Sequence, residues 1–221
     1  MKRDYGQHCA LARALDAVGS RWTMLMIREL LPGPRRFKDL LDGLPGMGTN
    51  LLTDRLRHLE QEGLIRRRTL PPPAGSTVYE LTDEGRRLQP ALFELARWGG
   101  PRLRERRNRD RLSARWAVLA MQAGFSPEAA RSVNDVYEFR IDDELFTVEV
   151  DDGRVRVLDG PAADPDAIVT TDTETFYSLT DREALAAAVA DGRLVSEGDP
   201  EAILRCTRIF AGAPAELGVG D

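Results

Sequence analysis

The chain has little of what most catalytic or metal-binding centres are made from. Its 221 residues include two cysteines, Cys9 and Cys206, and two histidines, His8 and His58. Cysteines so far apart make no disulfide framework, so a reducing compartment is expected. Neither histidine has cysteines at the spacing of a zinc site, so no metal is expected. Gly43, Gly46 and Gly48 are spaced wrongly for a dinucleotide fingerprint, and no lysine followed by serine or threonine completes a phosphate loop. No nucleophile elbow is present. Asp142-Asp143 and Asp151-Asp152 read as hairpin-turn acids open to solvent. The expectation is a protein that is not an enzyme and needs no cofactor. No stretch approaches the roughly 20 apolar residues of a membrane span. The start, Met1-Lys2-Arg3-Asp4, lacks the apolar core of a signal peptide. A cytoplasmic protein without a membrane partner follows as the expectation.

What is present is a sharp segregation of charge. The net charge is −5 overall. Residues 1–111 hold 22 Lys+Arg against 14 Asp+Glu, or +8, while residues 112–221 hold 9 against 22, or −13. Phosphates attract the first half and repel the second. The length suits two small domains, and a hydrophobic content of 42% is enough for each to build a core. The expected division is 1–98, a basic linker at 99–111, and 112–221.

The most informative stretch lies within 35–81. Arg35-Arg36-Phe37-Lys38-Asp39-Leu40-Leu41 begins a short helix with Phe37, Leu40 and Leu41 inward, and a Gly/Pro-rich turn follows. In the next helix, expected over 49–62, Leu52, Leu56 and Leu59 fall at i, i+4 and i+7 and form one buried seam. Asn50, Thr53, Asp54 and Arg57 point away from it. Thr49 is the expected N-cap, and Gly63 the left-handed stop. Asn pairs bidentately with adenine, Arg with guanine, and a Thr methyl touches that of thymine. Arg66-Arg67-Arg68 then opens a strand, and Thr77-Val78-Tyr79-Glu80-Leu81 closes a second. Pro71-Pro72-Pro73-Ala74-Gly75-Ser76 between them cannot be strand interior. Helix, turn, helix and β-ribbon is the layout of a winged helix-turn-helix, which presents one helix to the major groove. Cations at Arg35, Arg36, Lys38, Arg66, Arg67 and Arg68, with Ser76 and Thr77, suit the phosphate backbone of double-stranded DNA.

Ahead of this stretch, 9–18 and 20–31 read as helices, with Ser20 as a cap. Leu11, Leu15 and Val18 form one apolar stripe, and Trp22, Leu25, Met26 and Leu30 another, both expected in the core. After the wing, 82–97 reads as one helix with Leu88, Leu92 and Leu95 on one side. Cys9-Ala10-Leu11-Ala12-Arg13, Gly19-Ser20-Arg21-Trp22-Thr23, Leu52-Thr53-Asp54-Arg55-Leu56, Leu59-Glu60-Gln61-Glu62-Gly63-Leu64-Ile65, Tyr79-Glu80-Leu81-Thr82-Asp83-Glu84-Gly85 and Trp98 together resemble the HxlR family of bacterial transcriptional regulators, relatives of the MarR-type winged helices. The resemblance implies a homodimer that places two recognition helices on one face of an operator. It depends on the first helix and the end helix for the dimer contact. Asp54, and a Pro-rich loop at the wing tip, depart from the family pattern. The resemblance also matches Cys9 to a cysteine of redox-sensing members, and a helix start lowers a thiol's pKa.

The run from Arg102 to Arg111 is strongly basic and reads as a solvated linker. From Leu112 the character changes. A helix carries Trp116, Leu119, Ala120 and Ala123. Alternating strands follow over 136–141, 145–150 and 154–158, with Asp152-Gly153 as a hairpin signal. A fourth strand is expected at 167–171, then helices at 173–179, 182–190 and 200–210. Strands followed by helices make an α+β layer with an antiparallel sheet. Asp172-Thr173-Glu174-Thr175-Phe176 together with Asp191-Gly192-Arg193-Leu194-Val195-Ser196-Glu197-Gly198-Asp199-Pro200 resembles sterol carrier protein-like domains. That resemblance implies a place for a small hydrophobic effector, with Trp116, Met121, Phe139, Phe146, Phe176, Tyr177 and Phe210 as lining candidates. Taken one by one, those side chains suit the filling of a core better than the lining of a cavity. The leading expectation is a DNA-binding repressor with an effector-sensing domain. The alternatives are a redox regulator using Cys9, and a lipid carrier whose winged helix does not bind DNA.

Overall fold

The computed structural model describes residues 4–71, 75–103, 110–179 and 182–210. They fall into two compact units, Met1–Leu92 and Phe93–Asp221. The first contains α1 (Ala10–Val18), α2 (Thr23–Leu30), β1 (Arg35–Arg36), α3 (Phe37–Asp42), α4 (Thr49–Gln61), β2 (Ile65–Thr69), β3 (Thr77–Leu81) and α5 (Asp83–Arg86). The division falls inside α6 (Gln89–Gly99).

Met26, Ile27, Leu30, Leu40, Leu44, Leu52, Leu56 and Leu59 form the interior of the first unit, joined by Ile65, Val78 and Leu81 from the wing. α4 ends as its sequence demands. Gly63 takes φ +71, its amide bonds the Glu60 carbonyl at 3.0 Å, and the Leu64 amide reaches back to Leu59 at 3.0 Å. That paired closure satisfies carbonyls the helix leaves open. The His58 ring lies 2.9 Å from the Ala17 carbonyl and ties α4 to α1.

Several local expectations fail for physical reasons. Ser20 is not a cap: residues 20–22 form a turn, and Trp22, at φ +81, precedes the first helical residue Thr23. The Thr23 amide bonds the Ser20 backbone carbonyl at 3.1 Å. The Arg21 guanidinium lies 5.3 Å from the centre of the Trp22 ring. Thr49 is likewise inside its helix, and Gly48 holds the cap position. The helix expected over 82–97 is two helices, because Pro90 has no amide to bond the carbonyl four residues back, at Arg86, where α5 ends. Arg35 and Arg36 form a strand instead of a helix start, pairing with Tyr79 and Val78 of β3. The expected core stripe of α1 is not core: Leu11 is 67% exposed, Leu15 is exposed, and only Ala12 is buried. Leu25 is exposed too, although its neighbours Met26 and Leu30 are fully buried.

The second unit contains α7 (Ala114–Ala123), β4 (Asn134–Ile141), β5 (Glu144–Asp151), β6 (Arg154–Asp159), β7 (Ala167–Thr171), α8 (Thr173–Ser178), α9 (Arg182–Ala190), β8 (Leu194–Gly198) and α10 (Pro200–Ile209). The sheet order is β6-β5-β4-β7-β8. Asp152 and Gly153 both take positive φ and make the expected tight hairpin between β5 and β6. The sheet is not a simple meander. β7 runs parallel to β4, from Tyr137 opposite Ala167 to Ile141 opposite Thr171, while the other pairings are antiparallel. β8 was not among the expected strands. α7 is buried along nearly its whole length, and Val118, Met121, Tyr137, Phe139, Phe146, Ile209 and Phe210 belong to one hydrophobic cluster.

Candidate nucleic-acid interface

The leucine seam of α4 fixes which side chains look outward. With Leu52, Leu56 and Leu59 buried, Thr49, Asn50, Thr53, Asp54 and Arg57 are all exposed. Their polar groups are not all free. The Thr53 hydroxyl donates to the Thr49 carbonyl at 2.9 Å, so its donor is used within the helix. Arg57 lies 3.6 Å from Asp54, one turn earlier, and both are about two-thirds exposed. Such a surface pair is weak and yields readily to a base edge or a phosphate. The Asn50 side chain makes no hydrogen bond among the described residues.

The candidate cations come from β1, the start of α3 and β2. In the sheet β1-β3-β2, Arg35, Tyr79 and Arg67 stand in one register row, and Arg36, Val78 and Arg68 in the next. Directly paired residues project to the same side, and successive residues to opposite sides. Arg35 is half-buried, with its Nε buried and unpaired. Arg36 and Lys38 are exposed, and the Arg36 amide donates to the Asp39 carboxylate at 3.1 Å, which fixes the start of α3. Thr77 is exposed and Ser76 half-buried, at the entry to β3. The wing residues 72–74 and the basic residues 104–109 lie outside the described residues.

The three wing arginines are not equivalent. Arg66 donates from Nε to Glu80 at 2.7 Å, and Arg68 donates from Nε and Nη2 to the other carboxylate oxygen at 3.2 and 3.0 Å. Arg67 projects to the opposite side. Burial alone would raise the Glu80 pKa, but the two arginines outweigh it and hold the carboxyl below its usual range. Glu80 was not singled out from the sequence. A signal existed: with Ile65 opposite Leu81, the ribbon puts Glu80 across from Arg66.

In the second unit, the candidate lining residues divide in two. Met121, Phe139, Phe146 and Phe210 are buried in the hydrophobic cluster, whereas Trp116, Phe176 and Tyr177 are half-buried on α7 and α8. The Phe139 and Phe176 rings meet edge to face at 6.4 Å, and the Tyr177 hydroxyl donates to the Ser113 carbonyl at 3.4 Å. A polar cluster, also missed in the sequence, sits at the end of the same core. Asp135 is buried, accepts the Tyr137 hydroxyl at 2.6 Å, and receives Arg205 through Nε and Nη2 at 2.7 and 2.9 Å. All three groups are satisfied, so the cluster is structural. Cys206 beside it is buried, while Cys9 is exposed; both are free thiols. Among the described residues, no helix is long and apolar enough to cross a membrane.

Comparison with known proteins matches two regions of the chain. The family described as HxlR-like helix-turn-helix matches residues 17–107, and the SCP-2 sterol transfer family matches residues 119–211. An uncharacterized HTH-type transcriptional regulator of Synechocystis is 40% identical over 94 residues, covering 42% of this chain and 70% of that protein. The HTH-type transcriptional regulator YodB of Bacillus subtilis is 35% identical over 85 residues, covering 38% of this chain and 76% of YodB. The solved reduced form of YodB has 30% identity and a TM-score of 0.39, covering 46% of this chain and 100% of that one. Both of these relatives are named as transcriptional regulators. This chain belongs to the HxlR-like helix-turn-helix family of transcriptional regulators, and carries an SCP-2 sterol transfer region after its winged helix.

Proposed function

We propose that the protein is a homodimeric repressor that inserts α4 into the major groove of its operator and releases it when the second unit takes up a small hydrophobic effector. The observation that carries the DNA contact is the open face of Asn50, Thr53, Asp54 and Arg57 opposite a fully buried leucine seam, with exposed arginines before and after it in the chain. Asn50 and Arg57 read base edges; Arg35, Arg36, Lys38, Arg66, Arg67 and Arg68 hold phosphates. The apolar side chains left open on α1 and α2, Leu11, Leu15 and Leu25, support a second copy as their cover. A two-fold pair would put two recognition helices about 34 Å apart along one duplex. Trp116, Phe176 and Tyr177, half-buried beside the aromatic cluster, are the residues an effector would meet first. The protein acts in the cytoplasm, where its DNA is.

The test is a gel shift with the full chain against duplexes from the region upstream of its own coding sequence, at low and at physiological salt. A specific complex containing two chains per duplex is expected. Folded protein that retards no duplex at low salt rejects the proposal. Native mass spectrometry of the same preparation reads subunit count and any retained compound.

The exposure of Cys9 favours a second reading, in which its oxidation releases DNA. YodB, which is similar here, has been solved in reduced, diamide-treated and quinone-bound forms. An oxidant should then abolish the complex of the native protein and spare that of Cys9→Ser. Equal sensitivity of the two excludes it.

A further inference from the structure

Two of the three wing arginines share a single buried carboxylate. Arg66 and Arg68 are two apart on β2, so they project to the same side. Glu80 stands across from Arg66 on β3 and diagonally from Arg68. Each carboxylate oxygen takes one guanidinium: Oε1 accepts Arg66 Nε at 2.7 Å, and Oε2 accepts Arg68 Nε and Nη2 at 3.2 and 3.0 Å. The Glu80 side chain is 10% exposed, against 67% and 46% for the two arginines. The acid therefore lies beneath, out of reach of a large polyanion, and the arginine heads lie above it. Both Nη groups of Arg66 and Nη1 of Arg68 make no hydrogen bond among the described residues.

We infer that Glu80 is a positioning residue for DNA, holding the guanidinium groups of Arg66 and Arg68 as a two-pronged fork for neighbouring phosphates. The inference rests on the DNA-binding reading above. An arginine free in solution loses considerable side-chain freedom when it docks on a phosphate. Here that freedom is already lost in the unbound protein, because an Nε bond fixes each head. The planar guanidinium suits this arrangement: one edge is spent on the anchor while the other remains for a bidentate phosphate contact. A competing view makes Glu80 only a screen that weakens the wing's positive charge. The two views predict opposite signs. An anchor strengthens duplex binding and increases its salt dependence, whereas a screen reduces both. Arg67, on the other side of the strand, supplies an internal control, since Glu80 does not touch it.

The experiment is a salt titration of the full-length protein on a duplex of arbitrary sequence, followed by fluorescence anisotropy. Glu80→Gln keeps one carbonyl acceptor and frees at least one arginine, so the slope of log K against log salt should fall by about 1 to 2. Each unit of slope lost is roughly a factor of ten in affinity at about 0.1 M salt when the lines converge near 1 M. In an Arg66→Ala/Arg68→Ala background, Glu80→Gln should have no further effect. An Arg66→Lys/Arg68→Lys variant keeps the charge but has no Nε to anchor, and should lose as much as Glu80→Gln. Arg67→Ala should lower the slope equally with and without Glu80. Tighter binding and a steeper slope in Glu80→Gln, or full activity in the double lysine variant, overturns the inference. If Glu80→Gln does not fold, the double lysine variant decides alone. A native protein that binds no duplex defeats the DNA-binding reading and this inference together. A native protein that binds, beside a Glu80→Gln that binds equally well, defeats this one only.

Discussion

Gly85→Ala tests how the wing is fastened to the rest of its unit. Gly85 is buried inside α5, and its amide donates to the Thr82 hydroxyl at 3.1 Å. A Cβ added there would lie 2.0 Å from the Leu64 carbonyl oxygen and 3.1 Å from Leu81 Cδ2. The carbonyl cannot simply move aside. It accepts the Thr82 amide at 3.0 Å, while the Thr82 hydroxyl donates to the neighbouring Gly63 carbonyl at 2.6 Å, and these bonds join the base of β2 to the end of β3. Overpacking costs about 1–3 kcal/mol. Each neutral hydrogen bond disturbed adds about 0.5–1.5 kcal/mol. Against this, alanine is better than glycine inside a helix by about 1 kcal/mol. The clash wins, and a net loss of about 2–4 kcal/mol is expected for the first unit. Gly63→Ala is the contrast. Gly63 has φ +71 but nothing within 4 Å of an added Cβ, so only the left-handed backbone is penalised, at about 1–2 kcal/mol. Urea unfolding followed by far-UV circular dichroism separates the two through the midpoint of the first unit's transition. If Gly85→Ala unfolds at or above the native midpoint, or at a higher urea concentration than Gly63→Ala, the account of this junction is wrong.

Asn50→Ala or Arg57→Ala should cost about 1–3 kcal/mol of operator affinity and relax base preference, whereas Arg36→Ala should weaken all duplexes alike and lower the salt slope by about 1. Binding to a panel of single-base operator variants distinguishes these effects, and identical profiles would mean the reading face of α4 is misassigned. In the second unit, Arg205→Ala strands the buried Asp135 charge and should destabilise by about 3 kcal/mol, the low end for a broken buried pair, because Arg205 is 27% exposed. Burial opposes the Asp135 charge, but the bonds from Arg205 and Tyr137 hold its carboxyl below the usual range. A depressed carboxyl contributes stability that is complete above its unfolded pKa near 3.9 and is lost as pH falls through the folded value. The acid limb of the native protein's urea midpoint should therefore flatten in Asp135→Asn, and an unchanged limb counts against the cluster. Burial pushes the Cys206 thiol up to about 12. A thiol reagent near pH 8 should label the native protein once, at Cys9, and the unfolded protein twice; two rapid labels on native protein, by mass spectrometry, would contradict the burial.

Periodic features were legible from sequence because periodicity reports burial directly. The seam Leu52, Leu56, Leu59 is buried as its spacing requires, and Gly63 ends α4 with the left-handed turn only glycine takes cheaply. Asp152-Gly153 gave the hairpin for a similar local reason. Periodicity failed where the partner of an apolar face lies elsewhere. Leu11 and Leu15 form as good a stripe as the α4 seam, yet they remain exposed in this chain. Strand neighbours were also hidden. Alternation marks β7 as a strand, but its parallel place beside β4 depends on a crossover that no local pattern encodes. Arg35 and Arg36 form a strand two residues long, too short for any period, and only the partner β3 defines it. Pro90 was a readable break that the apolar spacing of Leu88, Leu92 and Leu95 obscured. Of the candidate interface, the exposed face of α4 followed from its seam, whereas the inequality of the wing arginines needed the strand register.

The same pairing logic explains how an acidic chain can hold a DNA-binding surface. In the second unit, arginines are consumed at home: Arg115 lies 2.7 Å from Asp159, Arg140 2.7 Å from Glu138, Arg156 2.6 Å from Glu149, Arg193 3.0 Å from Asp191, and Arg205 2.7 Å from Asp135. With 22 acids to 9 arginines over 112–221, what remains for solvent is negative. Of the basic half's surplus of +8, residues 1–98, where the winged helix lies, hold 16 Lys+Arg against 12 Asp+Glu, or +4, and residues 99–111 hold the other +4. Screening near physiological salt acts over about 8 Å. A phosphate touching the wing therefore responds to arginines within one or two side-chain lengths and hardly to the chain's total of −5. Net charge governs the approach of a duplex at low salt, and local pairing governs the contact once made. That is why one buried acid at Glu80 matters more to the complex than many carboxylates exposed elsewhere.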